Sequence, residues 1–300
     1  MNPVWTVVGQ GAIGLLAASR LHLNQQQVQL FRRQPGPFRY QFEQQQQGLR
    51  QIELPAATAP IRLVLIPVKA YAVLPAVRQL LPLLSADAQV VLCHNGMGTI
   101  EQVLPLLSPA QSLWFVSTSQ AAFKPSASQI RHTGSGPSYL ACLKATDALH
   151  TQWVQSAMAL AFEPLTLVDD ITPLLWRKLA VNSVINPLTA VHQIRNGELA
   201  QPQYQALITQ LLSEFIAVAQ HYGQAFDQAD ISRLVYSVIG NTAGNYSSMQ
   251  QDKIHGRPLE LDAITGYLLQ RADEAGLTLP AHQALYQALR AGDQSLSSPR

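Results

Sequence analysis

An apolar, β-branched run at Val4–Val8 meets Gly9, and an apolar-rich stretch with helical character follows at Ala12–Leu23. That succession predicts strand, turn and helix. Residues 28–31, 61–66 and 90–93 read as further strands, with a helical segment over 70–84 between the last two. Strands alternating with helices imply a parallel sheet with right-handed crossovers. Over 112–143 the runs shorten and turn chemistry enters at Gly134-Ser135-Gly136-Pro137, so the sheet is expected to continue with antiparallel or mixed pairing. Beyond Val168 strand signals fade, and helical periods occupy 171–191, 204–222, 231–239 and 259–275. The pattern therefore predicts an α/β domain of the Rossmann type over 1–168 and an all-helical domain over 169–300, in line with roughly 150 residues per domain.

Composition changes the picture in two places. Charged residues make up only 13% of the chain, against about 25% in ordinary proteins. Glutamine fills the gap, with runs at 25–27 and 44–47 that are expected to be solvated loops. Twenty Lys and Arg against eighteen Asp and Glu leave a net charge of +2, and Arg32, Arg33 and Arg39 form the one tight basic cluster. That balance gives no electrostatic footprint for nucleic acid, which is not expected as a partner. Cys93 and Cys142 lie in apolar runs without C-x-x-C spacing, and so read as buried free thiols of a reducing compartment, the cytoplasm. The chain starts with a β-type run instead of a cationic leader, and its uninterrupted apolar stretches stay below about 18 residues. Neither secretion nor a membrane partner is expected.

Gly9-Gln10-Gly11-Ala12-Ile13-Gly14 has the spacing G-x-G-x-x-G and lies between the first strand and the first helix. There Gly9 permits the tight turn, Gly11 lets a pyrophosphate approach the backbone, and Gly14 allows close helix packing. The N–H groups that open the helix are then left for an anion. An ordinary glycine turn would share the residues but not the context. About twenty residues on, where an NAD site offers Asp or Glu to the ribose, the second strand ends in Phe31-Arg32-Arg33. A guanidinium there suits a 2′-phosphate, which favours NADP, although a solvated basic loop has the same sequence. Two further strand ends, Pro67-Val68-Lys69 and His94-Asn95-Gly96-Met97-Gly98, fall at the edge of the sheet where ligands collect. Lys69 begins a helix, where the macrodipole disfavours a cation unless an anion is near. Either a solvated lysine or a ligand contact satisfies the pattern at Lys69, and an Asn-Gly turn would look like a ligand-facing Asn95. His94 reads as structural.

In the second half, residues 176–189 carry the most information. At about 100° per residue, Lys178, Asn182 and Asn186 share an arc of about 80°, opposite Val181, Val184, Ile185, Leu188 and Val191. Pro187 in a helix interior costs about 3 kcal/mol. The pattern admits two explanations, a functional polar stripe or a solvent-facing one with a proline kink. Glu260 follows Arg257-Pro258 and falls near a helix start, where a glutamate also serves the dipole. Gly266 in that helix costs about 1 kcal/mol relative to Ala, which suggests close packing or ligand approach. Ser247 and Ser248 are equally cap or loop residues. The eight histidines lack metal-ligand spacing, and Ser135 is not in a nucleophile elbow, so neither metal nor esterase chemistry is expected.

Taken together, these segments resemble the ketopantoate reductases over nearly the whole chain. The resemblance rests on the glycine motif, Lys69, the run from His94 to Thr99, the stretch from Trp176 to Thr189, Asn196-Gly197-Glu198, Ser247 to Asp252, and Glu260-Leu261-Asp262. It implies NADPH-dependent reduction of 2-dehydropantoate to pantoate, on the route to pantothenate and coenzyme A. By similarity Lys178 is the general acid at the ketone oxygen, and Glu260 contacts the substrate hydroxyl region and positions that lysine. Asn182, Asn186, Asn245 and Ser248 line the substrate pocket, while Asn95 and Lys69 lie near cofactor and substrate between the domains. Gly9 to Gly14 cradle the dinucleotide and Arg33 holds the 2′-phosphate, with Arg32 as the fallback. The implied partner is a small 2-oxo acid, and a homodimer is compatible with the resemblance. The alternatives are a reductase of another small 2-oxo acid and a catalytically silent NADP-binding sensor.

Overall fold

The computed structural model describes residues 3–34, 36–44, 48–146 and 148–294. The chain divides into two compact units, one of residues 1–94 with 99–171 and one of residues 95–98 with 172–300.

In the first unit the elements run β1 (Val4–Val8), α1 (Ala12–Leu23), β2 (Gln27–Phe31), β3 (Phe38–Gln44), β4 (Gly48–Leu54), β5 (Ile61–Ile66), α2 (Ala70–Leu80) and β6 (Leu84–Leu92). They continue with α3 (Thr99–Val103), β7 (Ser112–Thr118), β8 (Ala121–Ser126), β9 (Gln129–Gly134), β10 (Ser138–Lys144), α4 (Ala148–Ala161) and β11 (Leu165–Leu167). A seven-stranded sheet has the order β11-β10-β7-β6-β5-β1-β2. Its β2, β1, β5, β6 and β7 pair in parallel, and β10 pairs antiparallel with β7. The expected Rossmann-type sheet with mixed pairing at its far side is present. Buried Trp5, Val7, Leu63, Leu65 and Val91 read as near-continuous apolar strands because a parallel sheet is covered on both faces.

The sequence pattern missed a second sheet, β4-β3-β9-β8. In β3 the period-two signal is Phe38, Tyr40 and Phe42, interleaved with Arg39, Gln41 and Glu43. Tyr40 and Phe42 are buried and face Ile52 and Arg50 of β4. The alternation is clean over residues 38–43, but the glutamine run that begins at Gln44 makes the region look like a loop. Gln25 does occupy an exposed turn, but Gln27 opens β2 and Gln44 closes β3, which corrects the expectation of loops there. Gln45 to Gln47 lie outside the described residues. Helix α4 was missed as well. The expected helix over 70–84 stops at Leu80, where a 3₁₀ turn containing Pro82 precedes β6. Cys93 is buried, whereas Cys142 is only half-buried.

The second unit is helical: α5 (Thr172–His192), α6 (Pro202–His221), α7 (Gln228–Asn241), α8 (Ser248–Ile254), α9 (Tyr267–Glu274) and α10 (Pro280–Gln294). Its core gathers Trp176, Leu179, Val184 and Leu188 of α5 with Leu211, Leu212 and Phe215 of α6. The pattern over 259–275 is not one α-helix. Residues Asp262–Gly266 form a π turn before α9, and Gly266 lies where a Cβ would be 3.3 Å from the Tyr286 ring. Helices α8 and α10 were not anticipated. No described helix is long and apolar enough to cross a membrane.

Candidate active site

At the end of β1, Gly9 takes φ +82°, a left-handed conformation that glycine adopts without strain. Its N–H donates to the Phe31 carbonyl at 2.8 Å, tying the loop to the end of β2. Gly11 is the N-cap of α1 and has no side chain to satisfy the first-turn N–H groups, and no acidic residue lies in that turn. Those donors are what a phosphate needs. A Cβ on Gly14 would stand 2.9 Å from Pro67 Cγ and 3.6 Å from Val7 Cγ1, so α1 sits closer to the sheet than any other residue would allow. Gln10 and Gly11 are exposed, Ala12 and Ile13 half-buried. The loop thus fits the diphosphate of a dinucleotide: a backbone cradle, open at its rim and packed tightly beneath.

Two cations touch Gln10. Arg32 reaches the Gln10 side-chain oxygen at 3.4 Å, donates to the Gly36 carbonyl at 3.1 Å and covers the Phe38 ring with its guanidinium carbon 4.6 Å from the centroid. Lys124, from β8, donates to the Gln10 carbonyl at 2.8 Å. Arg33 is exposed beside them. Lys69 is the half-buried N-cap of α2. His94 is buried, with Nε2 2.7 Å from the Thr99 hydroxyl and its ring edge-on to Phe115.

In the second unit the segment Asn95 to Gly98 docks on the π turn. The Met97 N–H donates to the Ala263 carbonyl at 2.8 Å, and a Cβ on Gly96, at φ +83°, would lie 2.6 Å from Ala263. Half-buried Asn95 and buried Glu260 are therefore carried by segments that interlock two and three residues away. Helix α5 packs on α8 and on the same π turn. Along α5, Lys178 and Asn182 are half-buried and Asn186 is 7% exposed. At Asn186 this corrects the solvent-facing alternative, because α5 from Ser183 to Ala190 is buried, Pro187 included.

Asn245 and Ser248 are exposed. The Asn245 carbonyl accepts the Asn196 N–H at 2.9 Å, and a Cβ on Gly197 would meet Ala243 at 2.6 Å, so glycine is needed where the two segments meet. Ser247, not Ser248, caps α8: its hydroxyl accepts the Gln250 N–H at 3.1 Å and lies 2.7 Å from the Thr189 hydroxyl of α5. Ser248 is left outside the cap. Sequence reasoning missed Lys124 and Ala263, and neither carries a local motif.

The family model described as "Ketopantoate reductase PanE/ApbA" matches residues 5–145, and its partner described as "Ketopantoate reductase PanE/ApbA C terminal" matches residues 170–293. A 2-dehydropantoate 2-reductase from Vibrio cholerae is 37% identical over 292 residues, covering 97% of this chain and 98% of that protein. Among solved structures, a D-mandelate dehydrogenase with NADH and anilino(oxo)acetate matches with a TM-score of 0.86 at 21% identity, over 98% of this chain and all of that one. A dimeric ketopantoate reductase from Staphylococcus aureus matches with a TM-score of 0.83 at 23% identity, over 98% of this chain and 100% of that one. At these identities the two structures speak to the fold alone.

Proposed function

The chain belongs to the ketopantoate reductase family, and from that premise we propose that it reduces 2-dehydropantoate to pantoate with NADPH. The observation that carries this assignment is the 37% identity to the Vibrio cholerae enzyme across both units. A bound nicotinamide dinucleotide supplies the hydride. The glycine loop and the first turn of α1 hold its diphosphate, Arg33 its 2′-phosphate, and Lys69 and Asn95 complete the cofactor side.

As hydride reaches the ketone carbon, negative charge grows on the oxygen. The Lys178 ammonium stabilises that charge and delivers the proton, a contribution on the order of 10² to 10⁴ in rate. Buried Glu260 orients the lysine and contacts the substrate hydroxyl. Asn182, Asn186, Asn245 and Ser248 offer amide and hydroxyl groups to the remaining polar atoms of the 2-oxo acid. The chemistry so assigned draws on residues of both units.

The alternative assignment is a reductase of another 2-oxo acid, for which phenylglyoxylate serves as a bulky probe because a D-mandelate dehydrogenase shares the fold. Spectrophotometric NADPH oxidation separates the two. The proposal expects kcat/KM for 2-dehydropantoate to exceed those for pyruvate, 2-oxoisovalerate, oxaloacetate and phenylglyoxylate. A higher value for any of these overturns the substrate, and no oxidation with any of them supports the silent sensor. The proposed assembly is a homodimer, supported by the dimeric Staphylococcus aureus enzyme. A monomeric mass in light scattering would refute it. The proposed compartment is the cytoplasm, supported by the two free cysteines.

A further inference from the structure

Lys124 lies on β8, in the sheet that the sequence pattern does not reveal, and its ammonium meets the main chain of the glycine loop 114 residues away at 2.8 Å. Among the described residues that carbonyl is its hydrogen-bond partner, and no carboxylate pairs with it. Burial pushes its pKa below the ordinary lysine value, with no acidic neighbour to offset it. A partly desolvated cation without an anion is costly, and such a placement calls for compensation from elsewhere.

The geometry of one peptide unit supplies it. The acceptor is the carbonyl of Gln10, whose peptide with Gly11 is trans. In a planar trans peptide the C=O and N–H point in opposite directions. A hydrogen bond on the carbonyl edge therefore fixes where the Gly11 N–H points, and a cation there polarises the unit and strengthens that donor. The Gln10 side chain is held separately, by Arg32 at 3.4 Å. The residue between the first two glycines is thus gripped at its main chain by one cation and at its side chain by another.

We propose that Lys124 is a positioning residue of the cofactor cradle, which holds the Gln10–Gly11 peptide so that the Gly11 N–H is presented to the diphosphate of a bound dinucleotide. This rests on the assignment of the glycine loop as a dinucleotide site. It differs from the role given to Arg33, because the diphosphate is common to NADPH and NADH whereas the 2′-phosphate is not.

The test is a fluorescence titration of the whole protein with NADPH, NADH and adenosine 2′-monophosphate, comparing the parent with Lys124→Met and Lys124→Arg. Loss of a charge-assisted contact is expected to raise Kd for both dinucleotides by about tenfold and by the same factor. Adenosine 2′-monophosphate, which lacks the diphosphate, keeps its Kd, and Lys124→Arg recovers most of the loss. In turnover the effect appears in KM for the dinucleotide rather than in kcat. Unchanged Kd values, a loss confined to NADPH, or a loss shared with adenosine 2′-monophosphate would each overturn the proposal. If Lys124→Met does not fold, as judged by circular dichroism, the same titration on Lys124→Gln decides by the same criteria. A parent that binds neither dinucleotide would instead overturn the assignment of the loop, an outcome distinct from any of these.

Discussion

At the glycine loop the working atoms belong to the main chain, and the neighbouring residues matter for what they lack. Gly11 has no side chain to cap α1, and Gly14 has no Cβ to push the helix off Pro67. Along α5 the working atoms stand at the ends of side chains, and the neighbours matter for what they cover. Lys178 and Asn182 are half-buried, and Asn186 is sealed in the stretch of α5 from Ser183 to Ala190 that is buried throughout. On the proposed assignment the two regions divide one reaction by physical type, backbone donors for a ligand that must be held and a titratable side chain for an atom that must change. They should fail differently: the first when atoms are added, the second when atoms are removed.

The largest expected effect follows from removing an atom group in the second region. Lys178→Ala should lower kcat/KM by a factor on the order of 10² to 10⁴. Glu260→Ala should also be damaging, and the double variant should lose much less than the product of the two, because one residue acts through the other. Multiplicative losses in steady-state assays would show that they work independently.

Arg33→Ala probes the rim of the first region, where a side chain does matter. Its KM for NADPH should rise about 10-fold to 100-fold, with little change for NADH. If Arg32→Ala alone has that effect, the contact moves by one residue. Equal changes for both cofactors would remove the 2′-phosphate from the account.

Adding one methyl group, Gly14→Ala, sharpens the comparison from the opposite side. Helix propensity gains about 1 kcal/mol, but overpacking costs about 1 to 3 kcal/mol. With Pro67 Cγ 2.9 Å from the new Cβ, the cost should win, lowering Tm by a few degrees and weakening NADPH binding. A higher Tm with unchanged binding would mean that the helix does not need its close seat.

A buried carboxylate that serves neither region gives the smallest effect. Glu214 accepts the Ala281 and His282 N–H groups at the start of α10, at 2.9 and 3.1 Å, and pairs with His282 Nδ1 at 2.9 Å. Despite burial, which opposes ionisation, these hydrogen bonds hold its pKa below the ordinary glutamate value of 4.5. A carboxyl whose folded pKa is depressed stabilises in full above its unfolded pKa and loses that contribution as pH falls through the folded one. Denaturant titrations should therefore show stability falling below about pH 4.5, with a shallower fall in Glu214→Gln. Parallel pH profiles for the two proteins would exclude this linkage.

How far each region could be read from sequence follows the same division. The glycine loop was legible because its six residues are consecutive and each has a local reason. The stripe of Lys178, Asn182 and Asn186 was legible as periodicity, but not its burial, which depends on what packs over α5. Glu260 was ambiguous, since a residue near a helix start looks the same whether it serves the helix or a ligand. The π turn after it leaves the apolar pattern of 259–275 looking like an unbroken helix, and its contact with Gly96 joins segments far apart in the chain. Lys124 was invisible for two reasons: the short strands of 112–143 read as continuing the first sheet whereas β8 belongs to the second, and its partner is a backbone atom of a distant loop.

The division of labour is tested most directly by titrating Lys178→Ala with NADPH and following nucleotide fluorescence. The expected Kd lies within about twofold of the parent, a difference of about 0.4 kcal/mol, in a protein that has lost nearly all turnover. A Kd that weakens in step with the lost turnover would contradict it, because Lys178 would then hold the cofactor rather than act on the substrate.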